Sequence, residues 1–420
     1  MTDLAARPAE TDSDEAEAST DPETIKVTEA VDAFLAEHDP SSMTDLEFRG
    51  LRFDHGVAWV AFPEGHGGLG VRPSLQKMVE RRMRDAGAQP QSPATFFMYL
   101  AGPTIVTHGS EESKERFLRP MFTGEEIWCQ LFSEPGAGSD LAGLACKAEK
   151  DGEEWIVNGQ KVWNTLAHIA HRGMLVTRTD PDLPKHKGMT YFGVDMKAPG
   201  VEVRPLRQIT GEAEFNEVYM TDVRVPDSDR IGDIGEGWRA SMTTLMNERT
   251  AIGGGGGGGA SKSVAGSGPI AEALRIWNEE CNDKSAVNRD ALMKGYVQSE
   301  ILRLMTMRTV ANAKSGNPGP ESSVIKILYS NVNQEVYNLC VDLLGPAGQI
   351  DYDFTFRRPE EAALGGDAEQ ARHLFLRVRA NSIEGGTSEI LKNICGERVL
   401  GLPGEPRNDK DVPWIEVPRS

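Results

Sequence analysis

The chain has 420 residues, enough for two to four domains with large buried cores. Its 45 Lys and Arg against 64 Asp and Glu leave a net charge of −19, which repels phosphate backbones and anionic lipid surfaces and argues against nucleic acid as a partner. Five scattered cysteines without a C-x-x-C pair, no apolar run of ~18 residues and no basic-then-apolar leader argue against a disulfide scaffold, a zinc site, a membrane span and a signal peptide, so a reducing, cytoplasmic setting is expected.

Residues 1–23 carry eight acids against the single Arg7, too polar to order themselves, and are expected to form a disordered acidic tail. Residues 24–127 show helical apolar spacing, as in Val27, Val31, Phe34 and Leu35, broken by loop signals such as Gly65 to Gly70, and predict a helical N-terminal domain. The pattern changes after Trp128. Asp151-Gly152 and Asn158-Gly159 each predict a hairpin turn, and runs at Met174 to Thr177, Met189 to Val194, Val201 to Val203 and Glu217 to Val225 predict strands, giving a β domain over 128–237. Helical periodicity returns over 238–405. Met293, Val297, Ile301 and Leu304 share one face of a helix closed by Gly316 and Pro318, and a second helix runs from a Ser322/Ser323 cap through Ile325, Leu328, Val332 and Val336. Residues 406–420 read as a C-terminal tail.

Two features have weak chemical content. The run Gly253 to Gly259 matches G-x-G-x-x-G but follows a helical segment rather than a strand, so no dinucleotide-binding unit is expected; beside Glu248 and Arg249 it is either a surface loop or a widening of a ligand pocket. His168 and His171 have no Glu or Cys companions nearby, and no metal site is expected.

Three segments carry more. Ser133-Glu134-Pro135-Gly136-Ala137-Gly138-Ser139-Asp140 combines glycines that allow close backbone approach with hydroxyls and amides that hydrogen-bond. Gly159-Gln160-Lys161-Val162-Trp163-Asn164-Thr165 places an indole where it could flank a flat ring, and Ser382-Ile383-Glu384-Gly385-Gly386-Thr387-Ser388-Glu389-Ile390 precedes a helix ending Glu397-Arg398-Val399-Leu400-Gly401-Leu402-Pro403. In this order, with Pro63 to Gly70 and Asp222-Val223-Arg224-Val225-Pro226, they resemble the acyl-CoA dehydrogenase family from about residue 45 to 405.

The resemblance implies an α+β architecture of helical N-domain, central β-barrel and C-terminal four-helix bundle, with FAD between barrel and bundle. It implies FAD contacts from Leu131, Phe132, Ser133, Gly138, Ser139, Trp163, Asn164 and Thr165, and from Thr387, Ser388 and Glu389, with Asp342 a weaker candidate. The implied reaction takes the α-proton of an acyl-CoA thioester onto a carboxylate while the β-hydrogen leaves as hydride to the flavin. Many members carry that carboxylate immediately before the G-T of the C-terminal loop, where this chain has Gly385; a minority carry it on a bundle helix within a pattern ending E-R, and here Met246-Asn247-Glu248-Arg249 makes Glu248 the candidate base. Asn247, Arg249 and Ser139 are the candidate substrate contacts. Trp277 to Asp283 lacks the Arg that many members lend to a neighbour's FAD, which leaves the form of the oligomer open between homodimer, homotetramer and heteromer. Electron-transfer flavoprotein is the implied acceptor. A flavin oxidase and a non-catalytic subunit of a heteromeric enzyme are the alternatives.

Overall fold

The computed structural model describes residues 21–250, 264–314, 321–350, 355–360, 371–407 and 409–418. The chain divides into two compact units, one of residues up to Gln91 with Lys114–Glu125, the other of Ser92–Ser113 with Glu126–Ser420.

The first unit is helical. Helix α1 (Pro22–Glu37) starts where the Asp21 carboxylate accepts the Thr24 amide N–H and Pro22 supplies a preset first turn; Thr24, Val27, Val31 and Phe34 then recur on its buried face. Helix α2 (Asp45–Asp54) begins at a reciprocal Thr44/Glu47 capping box, which satisfies two otherwise unpaired donors. With α3 (Gln76–Asp85) these helices enclose a core that includes Val27, Phe34, Phe48, Val60, Val79 and Met83. Helix α4 (Met98–His108) belongs to the second unit, and α5 (Glu111–Thr123) runs from the second unit into the first.

The second unit is built on seven strands: β1 (Trp128–Leu131), β2 (Lys147–Asp151), β3 (Glu154–Lys161), β4 (Arg172–Arg178), β5 (Met189–Asp195), β6 (Val201–Pro205) and β7 (Asn216–Pro226). They pair in the order β1-β4-β2-β3-β7-β6, with β5 antiparallel to β4. All seven feed one core, from Leu131, Ala148, Trp155, Leu175, Phe192 and Val223 to the partly buried Val201 and Val203, so the sheet wraps around its own inner face as a barrel does. Asp151-Gly152 turns the β2–β3 hairpin, with Gly152 at φ 64°. The second expected hairpin, at Asn158-Gly159, does not form. Both residues lie inside β3, where the register against β7 shifts between Val157 and Gly159, and a Cβ on Gly159 would sit 2.7 Å from Cys146 Cα. The glycine there admits a neighbouring backbone rather than a turn.

The C-terminal helices α6 (Gly237–Thr250), α7 (Pro269–Glu279), α8 (Ala286–Lys314) and α9 (Glu321–Leu344) follow, then α10 (Ala371–Arg377) and α11 (Ser388–Ile394). Ile270, Ala273 and Ile276 of α7, Leu292 of α8 and Val332, Val336 and Cys340 of α9 form one core. Met293, Val297, Ile301 and Leu304 do share a face of α8, but it is the outward one, each residue 40–54% exposed, because α8 packs inward through Leu292, Gly295, Tyr296 and Leu302. Ser322 and Ser323 lie within the first turn of α9 rather than before it. Gly253 to Gly259, Gly316 and Pro318 lie outside the described residues. No helix among the described residues is long and apolar enough to cross a membrane, and none of the five cysteines is in a disulfide.

Candidate active site

Strand β3 ends on Lys161, which shares the inward alternation of Trp155 and Val157 and is fully buried. A charge there must be paired. Lys161 Nζ donates to the Phe132 carbonyl at 3.0 Å and to Glu134 Oε1 at 2.8 Å, while the Glu134 carboxylate also accepts the Ala145 and Cys146 amides at 2.7 and 2.9 Å. These bonds fix the Ser133–Gly138 turn to the end of the sheet. Ser133 is half-buried with its carbonyl accepting Val162 N–H, Gly138 and Ser139 are exposed, and the space beside Gly136 and Gly138 is open.

After Lys161 the chain enters a strained bend, Trp163 at φ 63° and Leu166 at φ 57°, a region that non-glycine residues rarely occupy. The bend turns the Trp163 indole outward, 58% exposed, edge-on to Phe215 at 5.9 Å, with Thr165 half-buried beside it. The Arg377 guanidinium lies over the other aromatic partner, 5.6 Å from the Phe215 ring. Asn164 points inward: its Nδ2 donates to the Gln130 carbonyl at 2.8 Å, its main chain exchanges hydrogen bonds with Asn216, and its buried Oδ1 has no partner in the protein.

Gln130 joins these segments to the bundle. From β1 its side-chain Nε2 donates to Glu248 Oε2 on α6 at 3.2 Å. From α9 the buried Lys326 donates to the carbonyls of Asn381 and Gly386, at 2.6 and 2.8 Å, holding the 381–386 loop. Burial pushes the Lys326 ammonium down, against the upward pull of Glu384 and Glu248, so both carboxylates are within its electrostatic reach. Gly385 and Gly386 have φ of 63° and 99°, so the position where many members carry the base is left-handed backbone without a side chain.

Glu384 is occupied elsewhere. Arg377 donates to it from both terminal nitrogens at 3.2 Å, and Asn381 donates to its other oxygen at 2.7 Å. Burial opposes the Arg377 charge, but Glu384 and Glu214 outweigh it and hold the guanidinium above its ordinary range.

Several of the expected contact residues are engaged within the protein. The Leu131 side chain is in the sheet core by strand alternation in β1, and Phe132, just past the strand, is buried edge-on against Tyr191. Asn164 uses its amide as a brace. Thr387 caps α11, its hydroxyl accepting Ile390 N–H, with Ser388 half-buried and Glu389 exposed in the first turn. Asn247 donates to the Thr243 carbonyl within its own helix. Asp342 is exposed near the end of α9, and the Arg249 side chain lies outside the described residues.

Segments distant in sequence thus converge at the end of the sheet: an outward indole, a glycine-rich turn and a helix-borne carboxylate, an arrangement suited to a flat cofactor beside a base. The sequence agrees with that class. Residues 21–125, 129–223 and 235–400 match the N-terminal, middle and C-terminal domain models of acyl-CoA dehydrogenase, and the chain belongs to this family of FAD-dependent oxidoreductases. It is 38% identical over 337 residues to the acyl-CoA dehydrogenase FadE34 of Mycobacterium tuberculosis, an alignment covering 80% of this chain and 43% of that longer relative. It is 33% identical over 352 residues to the acyl-CoA dehydrogenase IpdE1 of the same organism, covering 84% of this chain and 86% of that one. Among solved structures, the ChsE4-ChsE5 complex from Mycobacterium tuberculosis matches with a TM-score of 0.65 at 25% identity, over 96% of this chain and 100% of the other.

The residues present fit FAD: the exposed Trp163 indole is held by strained backbone, the Gly136 and Gly138 turn is open, and Asn164 Oδ1 is a buried acceptor unmatched by protein. Sequence reasoning missed Gln130, Lys326 and Arg377, which carry no local motif. Lys161 was missed as well, although a cation at an inward position of a strand is a signal for a buried acid partner.

Proposed function

We propose that the protein oxidises an acyl-CoA thioester to the trans-2-enoyl-CoA, with Glu248 as the base that takes the α-proton. The observation that carries this reading is the Gln130 bridge, which ties Glu248 on one side and the Trp163–Thr165 bend on the other to the same residue of β1. Bound FAD supplies the acceptor for the β-hydrogen as hydride. Gln130 orients the Glu248 carboxylate by donating to one of its oxygens, and Lys326 lies within electrostatic reach of it. Arg377 and Asn381 occupy Glu384 and leave it unsuited to the same task. Leu131, Phe132 and Ser133 approach the flavin through main chain, Trp163 and Thr165 through side chains, and Ser139, Asn247 and Arg249 are the proposed substrate contacts. Thr387, Ser388 and Glu389 are assigned to the adenosine side and Asp342 to a neighbouring subunit's cofactor. Electrons pass on to an electron-transfer flavoprotein; rapid peroxide release in air during turnover would instead make the protein an oxidase.

The exposed face of α8 through Met293, Val297, Ile301 and Leu304 supports assembly with a further subunit, a second copy or a companion chain as in the ChsE4-ChsE5 pair. Co-purification and light scattering distinguish the two. Glu248→Gln is expected to keep FAD and lose turnover by about three orders of magnitude or more, a range reached when an essential base is removed, while Glu384→Gln stays close to wild type. A dead Glu384→Gln with an active Glu248→Gln refutes the assignment.

A further inference from the structure

The family's C-terminal domain model ends at residue 400, yet the last described residues of this chain return to the sheet. Asp409 to Val417 runs along the β4–β5 connection: Trp414 N–H donates to the Leu183 carbonyl at 2.9 Å, Ile415 N–H to the Pro181 carbonyl at 3.0 Å, and Pro413 bridges Pro184. The contacts continue from this connection to the glycine-rich segment. Lys185, 7% exposed, donates to Asp409 at 2.6 Å and to both oxygens of Asp140 at 2.9 Å, and Asp140 directly follows Ser139. Arg178 at the end of β4 donates to the Ala142 and Lys185 carbonyls at 2.6 and 2.8 Å, with its guanidinium 4.9 Å from the Trp414 ring. Trp414 Nε1 reaches the Gly143 carbonyl at 3.3 Å.

Each link is made by a buried or half-buried group, so the strap and the 139–143 segment share Lys185 and Arg178 as common anchors. A cation held by two carboxylates from different segments fixes their separation, and the indole laid over the Arg178 guanidinium adds a second link between strap and segment. We propose that the C-terminal strap, through Asp409 and Trp414, is a positioning element for the acyl-CoA-binding segment at Ser139–Gly143. It sets how tightly the coenzyme A portion of the substrate is held without touching the reacting atoms. This rests on the assignment of Ser139 to the acyl-CoA ligand.

The test uses the full-length, FAD-loaded protein and coenzyme A, the portion common to every substrate of the class, in calorimetric titrations. Asp409→Asn and Trp414→Ala are expected to weaken coenzyme A binding by about five- to tenfold, the effect of removing one charged or buried hydrogen bond. Asp409→Glu should restore it, and the flavin spectrum and melting temperature of Asp409→Asn should match wild type, which a general loss of structure would not allow. If Trp414→Ala does not fold, Asp409→Asn decides. If Ser139→Ala weakens binding while Asp409→Asn does not, the strap has no positioning role. If Ser139→Ala itself leaves the affinity unchanged, the assignment of the segment is wrong and the proposal falls with it.

Discussion

Replacing Lys161 by Met tests whether the buried pair with Glu134 holds the glycine-rich turn in place. Met matches the length of the lysine stem but removes its charge and its bonds to the Phe132 carbonyl and Glu134. Glu134, itself only 9% exposed, is left as a buried carboxylate without its cation. Breaking one partner of a buried pair costs about 3–5 kcal/mol. The Ala145 and Cys146 amides still solvate Glu134, which places this case at the lower end, about 3 kcal/mol. At roughly 1.5 °C per kcal/mol for a unit of about 300 residues, the melting temperature should fall by about 5 °C. Thermal melts at saturating FAD measure it, with flavin absorbance reporting whether the turn still holds the cofactor. Glu134→Gln combined with Lys161→Met should cost less than the sum of the singles, because the second change removes the stranded charge. A Lys161→Met protein that melts within about 1 °C of wild type, below the shift expected from even 1 kcal/mol, or a strictly additive double variant, refutes the reasoning.

Trp163→Ala should fold normally, since the indole is largely outside the core, but should bind FAD more weakly and shift its absorption; unchanged affinity and spectrum would displace the flavin from this face. Burial lowers the pKa of His108, His168 and His186, so each stays neutral in the folded chain at a pH where the unfolded chain has begun to protonate. Their contribution is full above the unfolded value near 6.5 and is lost as pH falls through it towards the lower folded values. Urea midpoints should therefore drop between about pH 7 and pH 5.5, and substituting the three histidines by Asn should flatten that slope; a slope untouched by the substitutions excludes them as its source.

Period and punctuation were sufficient for most elements. Four runs rich in β-branched and aromatic residues each fall inside one strand, β4, β5, β6 or β7, which extends up to two residues beyond it, and Asp151-Gly152 turned where the dipeptide requires positive φ. Local chemistry failed at Asn158-Gly159, where the same dipeptide serves the close approach of Cys146 across the sheet, a demand set by the partner strand. It failed also for the helix face of Met293 and Leu304, since periodicity reports that residues share a face but not which way the face points.

The site divides in the same way. Residue type marked Trp163 and the glycine-rich turn, because an indole after a strand and paired glycines are local features, whereas Glu248 was marked by the family's pattern ending E-R. Leu131 turned inward because strand alternation, fixed only once β1 pairs with β4, decides which side of a strand meets a ligand, and Phe132, just past the strand, packs against Tyr191. Gln130 gained its role from Glu248, 118 residues away, Lys326 from carbonyls 55 and 60 residues on, and Arg377 by joining its near neighbour Glu384 to Phe215 beside the sheet. The sequence by itself determined which chemical groups are present and which local shapes they favour; the tertiary structure decided which of those groups meet, because a charge or hydrogen-bonding group taken out of water must find its partner wherever packing brings one near.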